Sequence, residues 1–139
     1  MFLLDTNVIS ELRKAGGGRA DANVVSWAGA VDASHLYLSA ISVLELELGV
    51  LQVERRDGRQ GAALRSWLDG QVLTAFGGRI LAVDEAVAVR CAGLHVRNPR
   101  SERDALIAAT ALIHGMTVVT RNTTDFETTG AALLNPWLL

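Results

Sequence analysis

The chain has 139 residues, half of them hydrophobic, which suits one domain, spanning residues 1–139, that buries a full core without disulfides or a structural metal. Its single cysteine, Cys91, excludes an intrachain disulfide and a cysteine-based zinc cage, and the three histidines lie far apart in sequence. The net charge of −2 is unlike that of a typical nucleic-acid binder; setting four of the fifteen acids aside at one metal site leaves eleven acids against thirteen bases, twelve of them arginine.

Phe2–Leu4 reads as a short buried strand ending at Asp5, with Asp5-Thr6-Asn7 a turn that caps a helix carrying Val8, Ile9 and Leu12. Residues Arg13 to Ala20, with Gly16-Gly17-Gly18, read as a flexible loop, and Asp21 or Asn23 starts the next helix. There Val24, Val25 and Trp27 are expected in the core. Leu36–Ser39 is a second strand. A helix follows from Ser42 to about Val53, ended by Asp57-Gly58, and a further helix runs from about Ala62 to Phe76 and stops at Gly77-Gly78. Ile80–Val83 is a third strand. A helix from Glu85 to Val96 is closed by Asn98-Pro99, and another from Glu102 to His114 ends on Gly115. Thr117–Thr120 is a fourth strand, and the tail from Leu133 adds an edge strand before Asn135-Pro136-Trp137. Short apolar strands alternating with helices predict a three-layer α/β/α sandwich around a mostly parallel sheet.

In such folds, sites form beyond the carboxyl ends of the strands. Asp5 follows the first strand, Glu45 stands one helical turn after the second, and Asp125 lies five residues beyond the fourth. Asp104 opens the helix before that fourth strand. Parallel strands bring these four acids to one edge. Each also has a plain structural use. Asp5 fits a helix N-cap, Ser42 to Glu45 fits a capping box, Asp104 complements a helix dipole, and Asp125 fits a turn. Asp84 reads as the N-cap of the helix at Glu85. Gathered together, four carboxylates repel one another and call for a hard cation such as Mg²⁺ or Mn²⁺. Such an ion lowers the pKa of an attacking water and steadies charge on a phosphate oxygen.

The stretches from Leu3 to Leu12, Ser39 to Gly49, Asp104 to Ala111 and Val119 to Phe126, with the Asn135-Pro136-Trp137 ending, resemble the four motifs of the PIN-domain family. They are most similar to the VapC and FitB-like toxins of bacterial toxin–antitoxin pairs. The resemblance implies a metal-dependent endoribonuclease with Asp5, Glu45, Asp104 and Asp125 as metal ligands and catalytic acids. It further implies a homodimer and an antitoxin of the VapB or FitA type, whose arm covers the active site and which alone contacts DNA. Thr6 and Asn122 are candidates to hydrogen-bond the ligands. Arg97, Arg100, Arg103 and Arg121 are candidates for RNA phosphate contacts. The alternative is a weakly active or noncatalytic partner of a DNA-binding antitoxin in operon autoregulation; DNA cleavage is a third reading. A phospho-receiver domain is disfavoured because Arg121 stands where that fold needs lysine, and a haloacid-dehalogenase phosphatase because residue 7 is Asn. With no basic leader and no long apolar run, a cytoplasmic protein without membrane contact is expected.

Overall fold

A computed structural model describes all 139 residues. Five strands, β1 (Phe2–Leu4), β2 (Leu36–Ser39), β3 (Ile80–Leu81), β4 (Thr117–Val119) and β5 (Leu133–Leu134), form one sheet in the order β3-β2-β1-β4-β5. Every pairing is parallel, with Phe2 beside Leu36 on one side and beside Thr117 on the other. Successive residues of a strand point to opposite faces, which divides the core in two. Leu3 and Val118 face one cluster with Ile107, Ala108 and Phe126, under α6 (Glu85–Arg97) and α7 (Glu102–His114). Leu4 and Val119 face the other with Val8, Leu46 and Leu68, under α1 (Thr6–Arg13), α2 (Ala22–Ala30), α3 (Ala40–Arg56) and α4 (Gly58–Trp67). This is the expected three-layer α/β/α sandwich. Full burial of one Leu on either face contributes about 1.5–3 kcal/mol.

Local chemistry explains most boundaries. Asp21 caps α2, its Oδ1 accepting from the N–H groups of Asn23 and Val24. Val24 is buried and the Trp27 ring meets Phe2 edge-on at 5.3 Å, whereas Val25 faces solvent. Asp84 caps α6 through the N–H of Val87 at 3.0 Å. α7 ends where Gly115 turns left-handed at φ 65°, a conformation that costs a side-chain-bearing residue about 1–2 kcal/mol.

Several expectations need correction. The Ser42–Glu45 capping box does not form. α3 starts at Ala40, because Ser39, extended at the end of β2, caps it by accepting from the N–H of Ile41 at 2.9 Å. Ser42 is instead buried within the helix. α3 also runs on to Arg56. Asp57, besides ending α3, caps α4 through the N–H groups of Arg59 and Gln60, so α4 begins at Gly58 rather than Ala62. Gly61 packs so closely on α3 that a Cβ there would fall 2.5 Å from Glu54 Cα. α4 does not continue evenly to Phe76 but passes through a π-helical turn, Leu68–Val72, into α5 (Leu73–Ala75). The segment Lys14–Gly17 is a 3-10 turn, not loop, and β3 is only two residues long.

Candidate active site

In the sheet order, the chain runs outward from β1 through β2 to β3, then returns to β1's other side for β4. The reversal leaves a crevice beyond the carboxyl ends of β1 and β4, where the strand connections diverge. Asp5 and Thr120, the residues that follow those two strands, meet there. The Asp5 N–H donates to Val119 O at 2.9 Å, which carries the pairing one step past β1. Its Oδ1 accepts from the N–H of Thr6 at 2.8 Å and so caps α1. Its Oδ2 accepts from the Thr120 hydroxyl at 2.8 Å. Asn7 braces the same join: its amide donates to Thr120 Oγ1 at 3.3 Å and to Asp5 Oδ2 at 3.4 Å, and its carbonyl accepts from the N–H of Arg121. Asp5 is only 7 % exposed. Burial raises its pKa against the two helpful hydrogen bonds from Thr120 and Thr6, and the charges of Glu45 and Asp125 add to the rise.

Glu45 reaches the crevice from the second turn of α3. Thr6 donates its hydroxyl to Glu45 Oε1 at 2.7 Å, and Arg103 stands 3.7 Å from Oε2. Asp104 comes from the first turn of α7. Its pKa is pushed up to about 6, first by burial and then by the charges of Asp5, Asp125 and Glu45. Arg100 opposes that rise. Asp125 is exposed on the 3-10 turn Thr123–Asp125, yet its charge bears on both Asp5 and Asp104. Asp5, Glu45 and Asp104 line an open cleft of about 450 Å³ together with Thr6, Asn7 and Asn122. Asp125 does not line it. Glu47, two residues beyond Glu45, points elsewhere and forms a two-pronged pair with Arg65 at 2.6 and 2.7 Å.

The expected supporting residues separate on inspection. Thr6 bonds Glu45 directly. Asn122 lines the cleft, but its bond to the site runs from its backbone N–H to Thr120 Oγ1 at 3.0 Å. Arg103 and Arg121 stand at the site; Arg121 lies over the Trp137 ring at 5.3 Å. Arg100 donates to Thr128 Oγ1 at 2.8 Å. Arg97 lies away from the acids, in a separate groove of about 540 Å³ that it shares with Arg90 and Thr128. Sequence reasoning missed Thr120 and Asn7 as members of the site. The signal for Thr120 was its place directly after the strand that pairs with β1. Glu11 also lines the cleft, but its carboxylate is occupied: it accepts from the N–H of Asp21 at 2.9 Å, which chiefly lowers its pKa, and from Lys14.

An all-oxygen donor set of crowded carboxylates fits a hard divalent cation and suits neither a soft metal nor an organic cofactor. Asp104, whose pKa is pushed up to about 6 first by burial and then by its neighbours' charges, is the acid whose charge such an ion would most relieve. Asp5, Asp104 and Glu45 are the residues that would hold such an ion, which would supply Lewis acidity there.

Comparison with known proteins identifies the fold. The family model described as PIN domain matches residues 2–131. The chain is 41 % identical to VapC ribonuclease Y4jK of Sinorhizobium fredii, covering 99 % of this chain and 98 % of that protein. It is 39 % identical to Toxin FitB of Neisseria gonorrhoeae, covering 99 % of each. Among solved structures, FitAcB from Neisseria gonorrhoeae superposes with a TM-score of 0.89 at 39 % identity, covering 100 % of both chains. FitAB bound to an IR36 DNA fragment superposes with the same score at 38 % identity, covering 100 % of this chain and 97 % of that one.

Proposed function

The chain belongs to the PIN-domain family, and on that premise we propose that it is the toxin of a type II toxin–antitoxin pair, a Mg²⁺- or Mn²⁺-dependent endoribonuclease. The observation that carries the reading is the meeting of Asp5, Glu45 and Asp104, from three separate elements, in one open cleft at the reversal of the sheet, with the charge of Asp125 bearing on it. A single carboxylate capping a helix would need no such company.

Asp5 and Asp104 hold the principal cation, Glu45 completes or orients its surroundings, and Asp125 holds a second ion or positions water. Bound there, the cation supplies Lewis acidity toward water and toward a phosphate oxygen. The protein's own groups do the rest. Thr120 and the Thr6 N–H fix both oxygens of Asp5, so its orientation does not depend on the ion. Thr6 fixes Glu45 in the same way. Arg103 and Arg121 flank the cleft with cationic forks suited to the RNA backbone, and Trp137 holds the Arg121 side chain against a flat surface. Hydrolysis leaves a 3′-hydroxyl and a 5′-phosphate.

Similarity to FitB and to the FitAB–DNA assembly supports a partner: an antitoxin of the FitA or VapB type that covers the cleft and itself contacts DNA. A homodimer belongs to the same reading. No helix is long and apolar enough to cross a membrane, and we place the protein in the cytoplasm. The test is purified protein, free of partner, incubated with total cellular RNA in Mg²⁺, Mn²⁺ or EDTA beside Asp5→Ala and Asp104→Asn. Metal-dependent cutting that both substitutions abolish supports the reading. A folded, metal-binding wild type that leaves RNA intact points to the noncatalytic regulator, and equal cutting by all three proteins points to a contaminant.

A further inference from the structure

A second set of metal-ligating side chains stands outside the acidic cleft, where α6 meets the start of α7. Cys91 and His95 are four residues apart on α6 and so share one face of the helix. Glu102, the first residue of α7, reaches back to both. Cys91 Sγ lies 3.6 Å from Glu102 Oε1, and His95 Nε2 lies 3.2 Å from Oε2. All three ligand atoms fall within 4.8 Å of one another. Cys91 is buried, His95 is half-buried and Glu102 is exposed, so the cluster has a closed floor and an open mouth. The His95 nitrogen is itself shut off from solvent and takes part in no hydrogen bond, although the Glu102 carboxylate stands 3.2 Å away. A buried polar atom left without a partner is a rare feature that needs a reason.

We propose that Cys91, His95 and Glu102 form a binding site for a borderline transition-metal ion of the Zn²⁺ class, independent of the acidic cleft. The donor set makes the distinction. A thiolate and an imidazole suit Zn²⁺ and are poor ligands for Mg²⁺, whereas the cleft offers only oxygens. Tetrahedral Zn²⁺ with bonds of about 2.3 Å to sulfur and about 2.0–2.1 Å to nitrogen and oxygen sets neighbouring donors roughly 3.3–3.6 Å apart. Cys91 Sγ stands 3.6 Å from Glu102 Oε1 and His95 Nε2 stands 3.2 Å from Oε2, one on each oxygen of the carboxylate, so a small turn of the exposed Glu102 side chain brings a single oxygen into that range of both. Three protein ligands leave the fourth position for water on the exposed side. On binding, the Cys91 thiol proton passes to solvent and its sulfur lone pair enters the metal–sulfur bond, with no change of oxidation state. Glu102 and Asp104 are two residues apart, about 200° around α7, so the two sites face away from each other. An ion at Glu102 would clamp α6 to α7 across the Asn98–Ser101 connection, just before Asp104.

Titration of the full chain with Co²⁺, in excess Mg²⁺, tests this directly. The expected result is one equivalent of Co²⁺ with a thiolate-to-cobalt charge-transfer band in the near ultraviolet, bleached by Zn²⁺. The band is lost in Cys91→Ala and in His95→Gln and kept in Glu45→Gln. Should Cys91→Ala fail to fold, His95→Gln and Glu102→Gln decide the matter, read together with a Zn²⁺-dependent rise in Tm seen only in the wild type. Absence of the band, or its survival in both His95→Gln and Glu102→Gln, overturns the site. Neither outcome depends on nuclease activity.

Discussion

Replacing Asp104 by Asn should stabilise the metal-free protein while destroying its activity. Asp104 has a pKa pushed up from 3.8 to about 6, with burial as the first cause and Asp5, Asp125 and Glu45 as the next. Two units correspond to a ceiling of about 3 kcal/mol; the side chain keeps part of its solvent contact, so screening leaves on the order of 1–2 kcal/mol. The sign follows from linkage. A folded-state pKa above the ordinary one means that the fold holds the proton more tightly than the unfolded chain does. The contribution is therefore fully present below about pH 4 and lost as the pH climbs through about 6. Asn has the shape without the charge and escapes that loss. Urea unfolding in EDTA should show Asp104→Asn more stable than wild type near about pH 8, with the gap closing toward about pH 4. Added Mg²⁺ should then raise the wild type and leave the variant behind, because only the wild type binds the ion well in its folded state. An Asn variant no more stable than wild type in EDTA near about pH 8 would refute the claim that burial and the neighbouring acids disfavour the charge on Asp104.

Thr120→Val removes a buried donor from Asp5 Oδ2 and should cost about 1–3 kcal/mol of stability, with the activity profile moving to higher pH as Asp5 loses a bond that lowers its pKa; an unmoved profile counts against Thr120 as the residue that orients Asp5. Thr6→Val frees Glu45 and should lower cleavage with little change in Tm, checked by initial rates beside thermal melts. Arg103→Gln and Arg121→Gln should each weaken RNA binding and reduce the salt slope by about 1, while Arg97→Gln, set in its own groove, should leave both alone; binding measured over a range of salt separates them. Gly61→Ala should destabilise by about 1–3 kcal/mol, since its Cβ meets the α3 backbone.

The strands, α7 and the meeting of Asp5, Glu45 and Asp104 were legible because each rests on a local rule or on one topological rule, whereas Asp125 stays outside the cleft lining. α7 runs from Glu102 to His114 as its acidic start and Gly115 stop imply. The parallel order of the strands alone carries Asp5 and Glu45 to one edge. What was not legible depends on tertiary choice. Ser39 and Ser42 are both serines three residues or less from a plausible start, and only the end of β2 decides between them. Gly58 looks like a helix breaker, yet Asp57 supplies enough capping for α4 to start there, and Gly61 is needed for the approach to α3. Thr120 was hidden because its role arises from pairing across 115 residues of chain. The four arginines were equal in sequence and differ only through packing: two reach the cleft, one is tied to Thr128, and one faces another groove.

The triple engagement of Asp5 has a genetic consequence. One residue carries the β4 pairing through its N–H, the cap of α1 through Oδ1 and the bond to Thr120 through Oδ2. Selection for harmless alleles of the gene would therefore return Asp5 substitutions that keep the backbone pairing but lose both side-chain bonds, and so accumulate less well. Changes at Glu45, whose side chain accepts from Thr6 and faces Arg103 at the cleft but caps no helix, would give abundant protein that has lost only its chemistry. Alleles of the second kind are the ones to use for capturing the antitoxin or the RNA, since they separate recognition from damage to the cell.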